Sequence, residues 1–262
     1  MDEGLVRISI FFSLLLAIGI WEAAAPRRER TQSLVSRWAN NFAVVVLNTA
    51  ILRAVFPTAL VGFAVYFESI GWGLLNALSL PLWLEILLVI VVLDLTIYWQ
   101  HVVFHQVPFL WRVHRMHHTD VDFDVSTGVR FHPIEILLSM IIKIAVVAPL
   151  GPAPVAVMLF EIILNGSSLF SHGNIRIPIK ADSLIRFFIV TPDMHRVHHS
   201  VEKMETDSNF GFCLSCWDRI FATYREQPKQ THMAMTLGLE DYRSQRWQNL
   251  WNLLRLPFVK LD

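Results

Sequence analysis

The stretch His101-Val-Val-Phe-His105, followed closely by His114-Arg-Met-His117-His118, decides how the rest of this chain is interpreted. Residues three and four positions apart lie on one face of an α-helix, so each run presents a cluster of imidazoles. A third run, His195-Arg-Val-His198-His199, repeats the spacing of the second. Neutral imidazole is the commonest metal ligand among side chains, so the three clusters predict a metal centre.

Two single histidines, His132 and His172, lie between the second and third clusters. A lone histidine on an apolar face is more often a hydrogen-bonded core residue than a ligand. Both remain candidates because they fall in the same part of the chain as the clusters, whereas His232 lies outside it.

The composition is typical of a membrane protein. Of the 262 residues, 54% are apolar and 17% are charged, the mean hydropathy is +0.45, and the apolar residues come in long runs. The formal net charge is zero, which gives no indication of a nucleic-acid partner. Cys213 and Cys216 form a CxxC without a second pair, so we interpret them as ordinary reduced cysteines.

The first apolar run, Leu5 to Trp21, is followed by an arginine-rich segment that ends at Arg37. The positive-inside rule places this segment in the cytoplasm and the N-terminus outside. A cleaved signal peptide is the alternative, and the acidic residues Asp2 and Glu3 ahead of the run argue against it.

Three further apolar stretches follow. The stretch Phe42 to Phe67 contains Pro57, which leaves open one kinked span or a span with a re-entrant segment. Leu82 to Trp99 is the clearest span and, if each earlier stretch crosses once, carries His101 to the cytoplasmic face. Residues 134–165 form an apolar hairpin around a proline-rich turn, which returns the third histidine cluster to that face.

These segments predict an all-α integral membrane protein. We expect about four to five transmembrane or re-entrant helical segments and a cytosolic helical cap that carries the histidine-rich site. Residues 1–80 are expected to form an N-terminal transmembrane region, and residues 81–224 a catalytic domain that includes the hairpin. Residues 225–262 are expected to form a C-terminal interfacial segment.

Within the C-terminal segment, Trp247, Leu250, Trp251 and Leu254 share one helical face. This pattern predicts an amphipathic helix that lies in the membrane interface. Packing of the same face against the cap is the alternative.

Asp94 lies deep in the clearest span, where an ionisable residue is costly and usually functional. Asp94, Tyr98, His101 and His105 follow the spacing of one helical stripe. We therefore predict Asp94 and Tyr98 as catalytic residues, with Asp94 as a metal ligand or as the acceptor of an imidazole N–H. A structural hydrogen bond from Asp94 to a neighbouring helix is the alternative.

Three acids, Asp120, Asp122 and Asp124, follow the second cluster. We interpret them as solvated side chains of a polar loop, unless one of them orients a ligand histidine.

The order of these motifs resembles the fatty acid hydroxylase/sterol desaturase superfamily. The similarity covers roughly residues 94–224. The motifs that carry it are Asp94 through His105, Pro108 through His118, Arg130-Phe-His132-Pro-Ile-Glu135, His172-Gly-Asn174, His195 through His199, Asn209-Phe-Gly211 and Trp217-Asp-Arg-Ile-Phe-Ala-Thr223. Ala222 stands where a glycine is usual in the family, outside the histidine boxes.

The resemblance implies a membrane enzyme with two irons that uses O2 and external electrons to hydroxylate a lipid C–H bond, with lipid desaturation as the alternative outcome. Ten histidines shared by two metals would give five each and leave one octahedral position per metal for oxygen. Imidazole suits several metals, so the ligands alone do not select iron. The implied ligands are His101, His105, His114, His117, His118, His132, His172, His195, His198 and His199.

The resemblance also implies a lipid substrate and a separate electron donor, such as a cytochrome b5-like protein or a ferredoxin/reductase protein. We expect the histidine boxes on the cytoplasmic face of a bacterial inner membrane or of the endoplasmic reticulum. A membrane metal transporter would place ionisable residues along several spans, whereas these histidines flank the spans. A non-catalytic lipid-binding scaffold would have lost ligands from the boxes, and none is missing.

Overall fold

The structure, a computed structural model, describes residues 3–259. Asp2 and the last three residues of the predicted C-terminal segment lie outside the described residues. The helices are α1 (Glu3–Ala24), α2 (Leu34–Val55), α3 (Leu60–Ser69), α4 (Leu74–Leu78), α5 (Leu82–Gln106), α6 (Pro108–His118), α7 (Pro133–Leu150), α8 (Pro154–Ser171), α9 (Ile179–Ile185), α10 (Pro192–His198), α11 (Lys203–Thr206), α12 (Cys216–Ile220) and α13 (Leu250–Arg255), with 3-10 turns at Thr127–Val129, Glu240–Tyr242, Gln245–Gln248 and Leu256–Phe258. Between positions 3 and 259 the only strand-like pairings are isolated bridges, so the predicted all-α class is confirmed.

Five helical segments of the described chain are long and apolar enough to cross a membrane, which confirms the multi-pass prediction. These segments are Glu3–Ala24, Leu34–Ser69, Leu82–Gln106, Pro133–Leu150 and Pro154–Ser171. The second segment consists of α2 and α3, which are separated by a break at residues 56–59. Pro57 accounts for the break, because proline lacks a backbone N–H and disfavours the helical conformation in the residue before it.

The apolar core of the membrane part lies between α3, α5, α7 and α8. Leu60, Leu93, Val147 and Phe160 are fully buried there, one from each helix. At its C-terminal end α7 is terminated by Gly151, which has a φ of +57°. A Cβ atom at that position would lie 1.9 Å from the Trp72 carbonyl oxygen, so only glycine allows the α7–α8 turn to pack there.

The arginine-rich segment after α1 lies at the same end of the bundle as the histidine clusters. Arg27 forms an ion pair with Asp193 of α10, with Nη2 and Oδ2 3.0 Å apart. Arg37 of α2 forms ion pairs with Asp120 at 2.7 Å and Asp124 at 2.5 Å. These contacts hold α1 and α2 against the cap.

The interpretation of the three loop acids as solvated is wrong. Asp120, Asp122 and Asp124 are all buried. Asp122 accepts hydrogen bonds from the backbone N–H groups of Thr31 and Gln32. The local sequence did not show this burial, because each of the three acids has a partner from the segment Thr31 to Arg37, about 90 positions upstream.

The C-terminal segment packs largely against protein. Trp247 and Leu253 are buried together with Met116 of α6 and Val44 of α2, and only Trp251 of the predicted apolar face is strongly exposed. Packing against the cap therefore accounts for most of the apolar pattern in this segment.

Candidate metal centre

Nine of the ten candidate ligands converge at one end of the bundle, in two groups. In each group one ring nitrogen of every histidine lies within 4.8 Å of the others. The side chains of all nine are almost completely buried. Group A consists of His101, His105, His114, His118 and His198, and group B consists of His117, His172, His195 and His199.

The HxxHH spacing explains how the ligands are divided. In α6 the first and fifth residues of the run, His114 and His118, join group A, whereas His117 joins group B. In the third run the assignment is reversed, since His195 and His199 join group B and His198 joins group A. Positions i and i+4 lie nearly in line along a helix, and position i+3 is offset around it, so one run serves two neighbouring sites.

The ring nitrogens within each group point towards one another. His172 Nε2 lies 3.0 Å from His117 Nε2 and 3.1 Å from His195 Nε2. In group A the Nε2 atoms of His114 and His118 are 3.2 Å apart. Two ligands at right angles around a metal with metal–nitrogen bonds of about 2.1 Å would be about 3.0 Å apart, so the spacing fits one ion in each group.

Hydrogen bonds hold the outer nitrogen of four ligands. Each donates its Nδ1–H to a fixed acceptor, which leaves Nε2 unprotonated and free to bind a metal. The pairs are His101 with the Phe210 carbonyl at 2.8 Å, His198 with the Ser208 carbonyl at 2.7 Å, His172 with the Ser168 carbonyl at 2.7 Å and His114 with Glu135 Oε1 at 2.7 Å. Among residues 3–259 the Nε2 atoms of His101 and His198 have no hydrogen-bond partner, as expected for nitrogens that serve a metal.

Burial favours the neutral form of five of the clustered histidines. It lowers the pKa of His172 to about 4 and the pKa of His198 to about 3. Burial and the neighbouring imidazoles also lower the pKa values of His117, His195 and His199 well below the ordinary histidine value. Metal binding requires the neutral form, so the cluster is prepared for ligation at neutral pH.

The tenth candidate, His132, lies apart from both groups. Its Nδ1 accepts a hydrogen bond from the Ile134 N–H and caps α7, and its Nε2 donates to the Leu254 carbonyl at 3.1 Å. Both ring nitrogens are thus occupied by backbone groups. The structure places His132 as a link between α7 and the C-terminal segment.

Asp94 and Tyr98 are also placed away from the metal groups. Asp94 accepts hydrogen bonds from the backbone N–H groups of Cys213 and Leu214 and from the Trp217 indole at 2.9 Å. The hydroxyl of Tyr98 lies 2.8 Å from the Thr223 hydroxyl. Both residues therefore attach α5 to the segment 213–223, which matches the structural alternative for Asp94.

Two acids that contact ligands were not predicted as site residues. Glu135 bonds His114, as described above. Asp207 lies 3.4 Å from His105 Nδ1 and is 29% exposed. Glu135 could have been found from its place three residues after His132, whereas nothing in the sequence around Asp207 marks it, because α11 meets α5 only in the folded chain.

A cavity of about 260 Å³ opens beside both groups, between the spanning helices. His101 and His114 of group A and His117 of group B form part of its wall. Apolar side chains supply most of the remaining wall, among them Phe11, Leu52, Ile97, Phe104, Phe131, Leu164 and Phe212. The cavity has the composition expected for a site that admits an alkyl chain to the metal groups.

Comparisons with known proteins agree with this geometry. The family model described as fatty acid hydroxylase matches residues 86–223, more than half of the chain. The human alkylglycerol monooxygenase is 28% identical over 150 residues, which are 57% of this chain and 32% of that protein. The ornithine lipid hydroxylase OlsE of Rhizobium tropici is 26% identical over 230 residues, which are 84% of this chain and 67% of that protein.

The chain thus spans about a third of the length of the human relative. No solved structure matches it significantly. The family match covers α5 through α12 almost completely, and all nine converging histidines fall inside it. The chain therefore belongs to the fatty acid hydroxylase family.

Proposed function

We propose that this protein is a membrane-bound dinuclear iron oxygenase that hydroxylates a lipid. The observation that carries the proposal is the pair of converging histidine groups beside an apolar cavity within the membrane helices. The two named relatives, an alkylglycerol monooxygenase and an ornithine lipid hydroxylase, support lipid as the substrate class. Histidines that converge at one end of the bundle, rather than along the spans, do not form the pathway that a transporter requires.

Nine histidines would hold the metals, five in group A and four in group B. Bound iron would supply the oxygen activation that unactivated C–H bonds require. The protein contributes the fixed tautomers: the carbonyls of Phe210, Ser208 and Ser168 and the carboxylate of Glu135 hold the outer nitrogens so that Nε2 faces inward. The apolar wall of the cavity excludes water from the reacting carbon.

We further propose that the metal centre faces the cytoplasm and receives electrons from a separate redox protein. The arginine-rich segment contacts the cap through Arg27 and Arg37, and the positive-inside rule favours the cytoplasm for such a segment. We propose that this redox protein is an electron donor of the cytochrome b5 or ferredoxin type.

The test is to purify the protein from iron-replete membranes, measure its iron content and supply it with lipids, a reductase system and ¹⁸O2. We expect about two irons per chain and an oxygen-labelled lipid alcohol, both lost in His117→Ala and His198→Ala. An unlabelled alkene would show that desaturation is the reaction. Iron-loaded protein that forms no O2-dependent lipid product with an active reductant would overturn the proposal.

A further inference from the structure

The cavity wall is mostly apolar, but polar side chains also lie on it, including at the end next to the metal groups. Three polar side chains line it there: Asn48 from α2, Gln100 from α5 and Glu135 from α7. Each lies one contact away from a proposed ligand. Gln100 precedes His101 in the chain, Glu135 bonds His114, and the side-chain amide of Asn48 donates to the carbonyl of Phe131, whose ring stacks on His117 with centroids 4.5 Å apart.

Each of these three side chains has an oxygen without a hydrogen-bond donor. Asn48 Oδ1, Gln100 Oε1 and Glu135 Oε2 are shielded from solvent and have no partner among the residues that the structure describes. Native proteins leave few buried polar atoms unpaired, so three on one cavity require an explanation. All three oxygens are acceptors, so the group that would satisfy them must carry O–H or N–H donors.

Two hydroxyls on this wall differ, because their hydrogens are already used within the protein. The hydroxyl of Thr49 donates to the Val45 carbonyl, and the hydroxyl of Ser168 donates to the Gly128 carbonyl. Within residues 3–259, the buried side-chain atoms on this wall that lack a hydrogen-bond partner are these three oxygens and one ring nitrogen each of His101 and His117. Along α7 the wall continues from Glu135 to Lys143, about 12 Å at 1.5 Å per residue, which leaves room for an alkyl chain between Glu135 and the ion pair of Lys143 with Glu161.

We propose that Asn48, Gln100 and Glu135 form an acceptor site for a lipid polar group with free hydroxyl or amine hydrogens, held next to the metal groups. The proposal rests on the proposed function and narrows its substrate class. The carbon presented for oxidation then lies close to the polar part of the lipid and not in the middle of an acyl chain. A lipid without donors near the reacting carbon would leave the three acceptors unpaired and would bind more weakly.

The test measures binding without turnover, on full-length protein loaded with zinc, which has no redox chemistry. The probes are a saturated 1-O-alkylglycerol with two free hydroxyls, its di-O-methyl ether with the same chain, and an alkylamine of equal length. We expect the dihydroxy lipid, the amine or both to bind at least about 10-fold more tightly than the ether. Comparison of the dihydroxy lipid with the amine shows whether the site prefers a hydroxyl or an amine.

Gln100→Leu is the main variant, because the Gln100 amide has no hydrogen bond within residues 3–259 and its loss leaves no protein group unpaired. Asn48→Leu is the second variant. Each is expected to reduce the preference for the donor lipid by about 2- to 10-fold and to leave binding of the ether unchanged. The matched control is Thr96→Val on the same helix, whose hydroxyl donates to the Val92 carbonyl outside the cavity and whose removal should preserve the preference.

Equal binding of ether and donor lipids by the wild type, or an equal preference in the wild type and both variants, would overturn the proposal. The two proposals fail separately. A donor preference in zinc-loaded protein whose iron-loaded form oxidises no lipid supports the acceptor site and refutes the oxygenase. Oxidation of a lipid without donors, together with equal binding of the probes, supports the oxygenase and refutes the acceptor site.

Discussion

At the scale of single residues, the hydrogen bonds of the ring nitrogens distinguish several candidate ligands from the structural histidine His132. His101, His172 and His198 each donate outward and leave a bare nitrogen facing the other imidazoles. His132 uses both nitrogens on backbone groups. The same side chain therefore serves as a ligand or as a link between segments, depending on what meets its outer nitrogen.

His132→Ala is expected to retain both metals. It removes the cap of α7 and the contact with Leu254, which should lower the free energy of unfolding by about 1 kcal/mol, as for other helix caps. Metal content and thermal unfolding of the purified protein measure the two effects. His117→Ala is the control and should lose metal. Loss of metal from His132→Ala to the same degree would contradict the structural role.

Asp207→Asn is expected to weaken metal binding in group A by about 2- to 10-fold, because the Asp207 carboxylate lies 3.4 Å from His105 Nδ1 and its negative charge favours the metal-bound cluster. Competition with a chelator of known affinity measures the effect. Glu202→Gln is the control, since Glu202 is an exposed acid just before the same helix. Equal affinities for Asp207→Asn and Glu202→Gln would show that the contact with His105 is incidental.

At the scale of elements, the loop after α6 depends on α2 as much as on its own sequence. Arg37 is 2% exposed and forms ion pairs with Asp120 and Asp124, and its guanidinium also reaches the carbonyl of Asp122. This cation offsets much of the cost of burying the two carboxylates, and hydrogen bonds from Ser126 and Thr127 add to it. The loop in turn follows directly from His118, so its position affects group A.

Arg37→Leu is expected to lower the free energy of unfolding by about 3–5 kcal/mol, since it removes the nearest cation from two buried carboxylates. Thermal or denaturant unfolding in detergent gives the value. Arg176→Gln changes an exposed arginine of the same cap and should alter stability by less than about 0.5 kcal/mol. A loss for Arg37→Leu no larger than for this control would contradict the assigned pairing.

At the scale of the whole molecule, the fold concentrates neutral imidazoles in a buried end of a membrane bundle. Burial holds the pKa values of His172 and His198 at about 4 and about 3, below the ordinary value of 6.5 that they recover on unfolding. The unfolded chain consequently binds more protons than the folded chain as the pH falls through 6.5. The contribution of these two histidines to the stability of the metal-free protein is therefore fully present above pH 6.5, and it is lost as the pH falls below that value.

Metal-free protein is accordingly expected to unfold at lower temperatures as the pH falls from 7.5 to 5.5. For each proton that only the unfolded chain takes up, the free energy of unfolding changes with pH by a slope that approaches about 1.4 kcal/mol per pH unit. A melting series across this range measures the dependence. A variant in which His172 and His198 are both replaced by Asn should show a shallower slope, and a melting temperature independent of pH in the wild type would contradict the assigned burial.

Much of the site followed from local pattern. The helical spacing of His101 and His105, and of the two HxxHH runs, was sufficient to predict clustered ligands, because spacing within one helix does not depend on the rest of the fold. The five candidate spans followed from apolar runs for the same reason, since the length of helix needed to cross a bilayer is a local property.

Other features depended on contacts between segments far apart in the chain. Asp94 and His101 lie on one stripe of α5 as predicted. The segment 213–217 folds over Asp94, however, and donates hydrogen bonds to its carboxylate. His132 lies among the family motifs, yet its ring bonds the Leu254 carbonyl. Asp207, the residue after α11, contacts His105 of α5. The sequence places side chains on faces of helices. What each face meets is set by packing between segments that are often more than 100 positions apart, which no local pattern encodes.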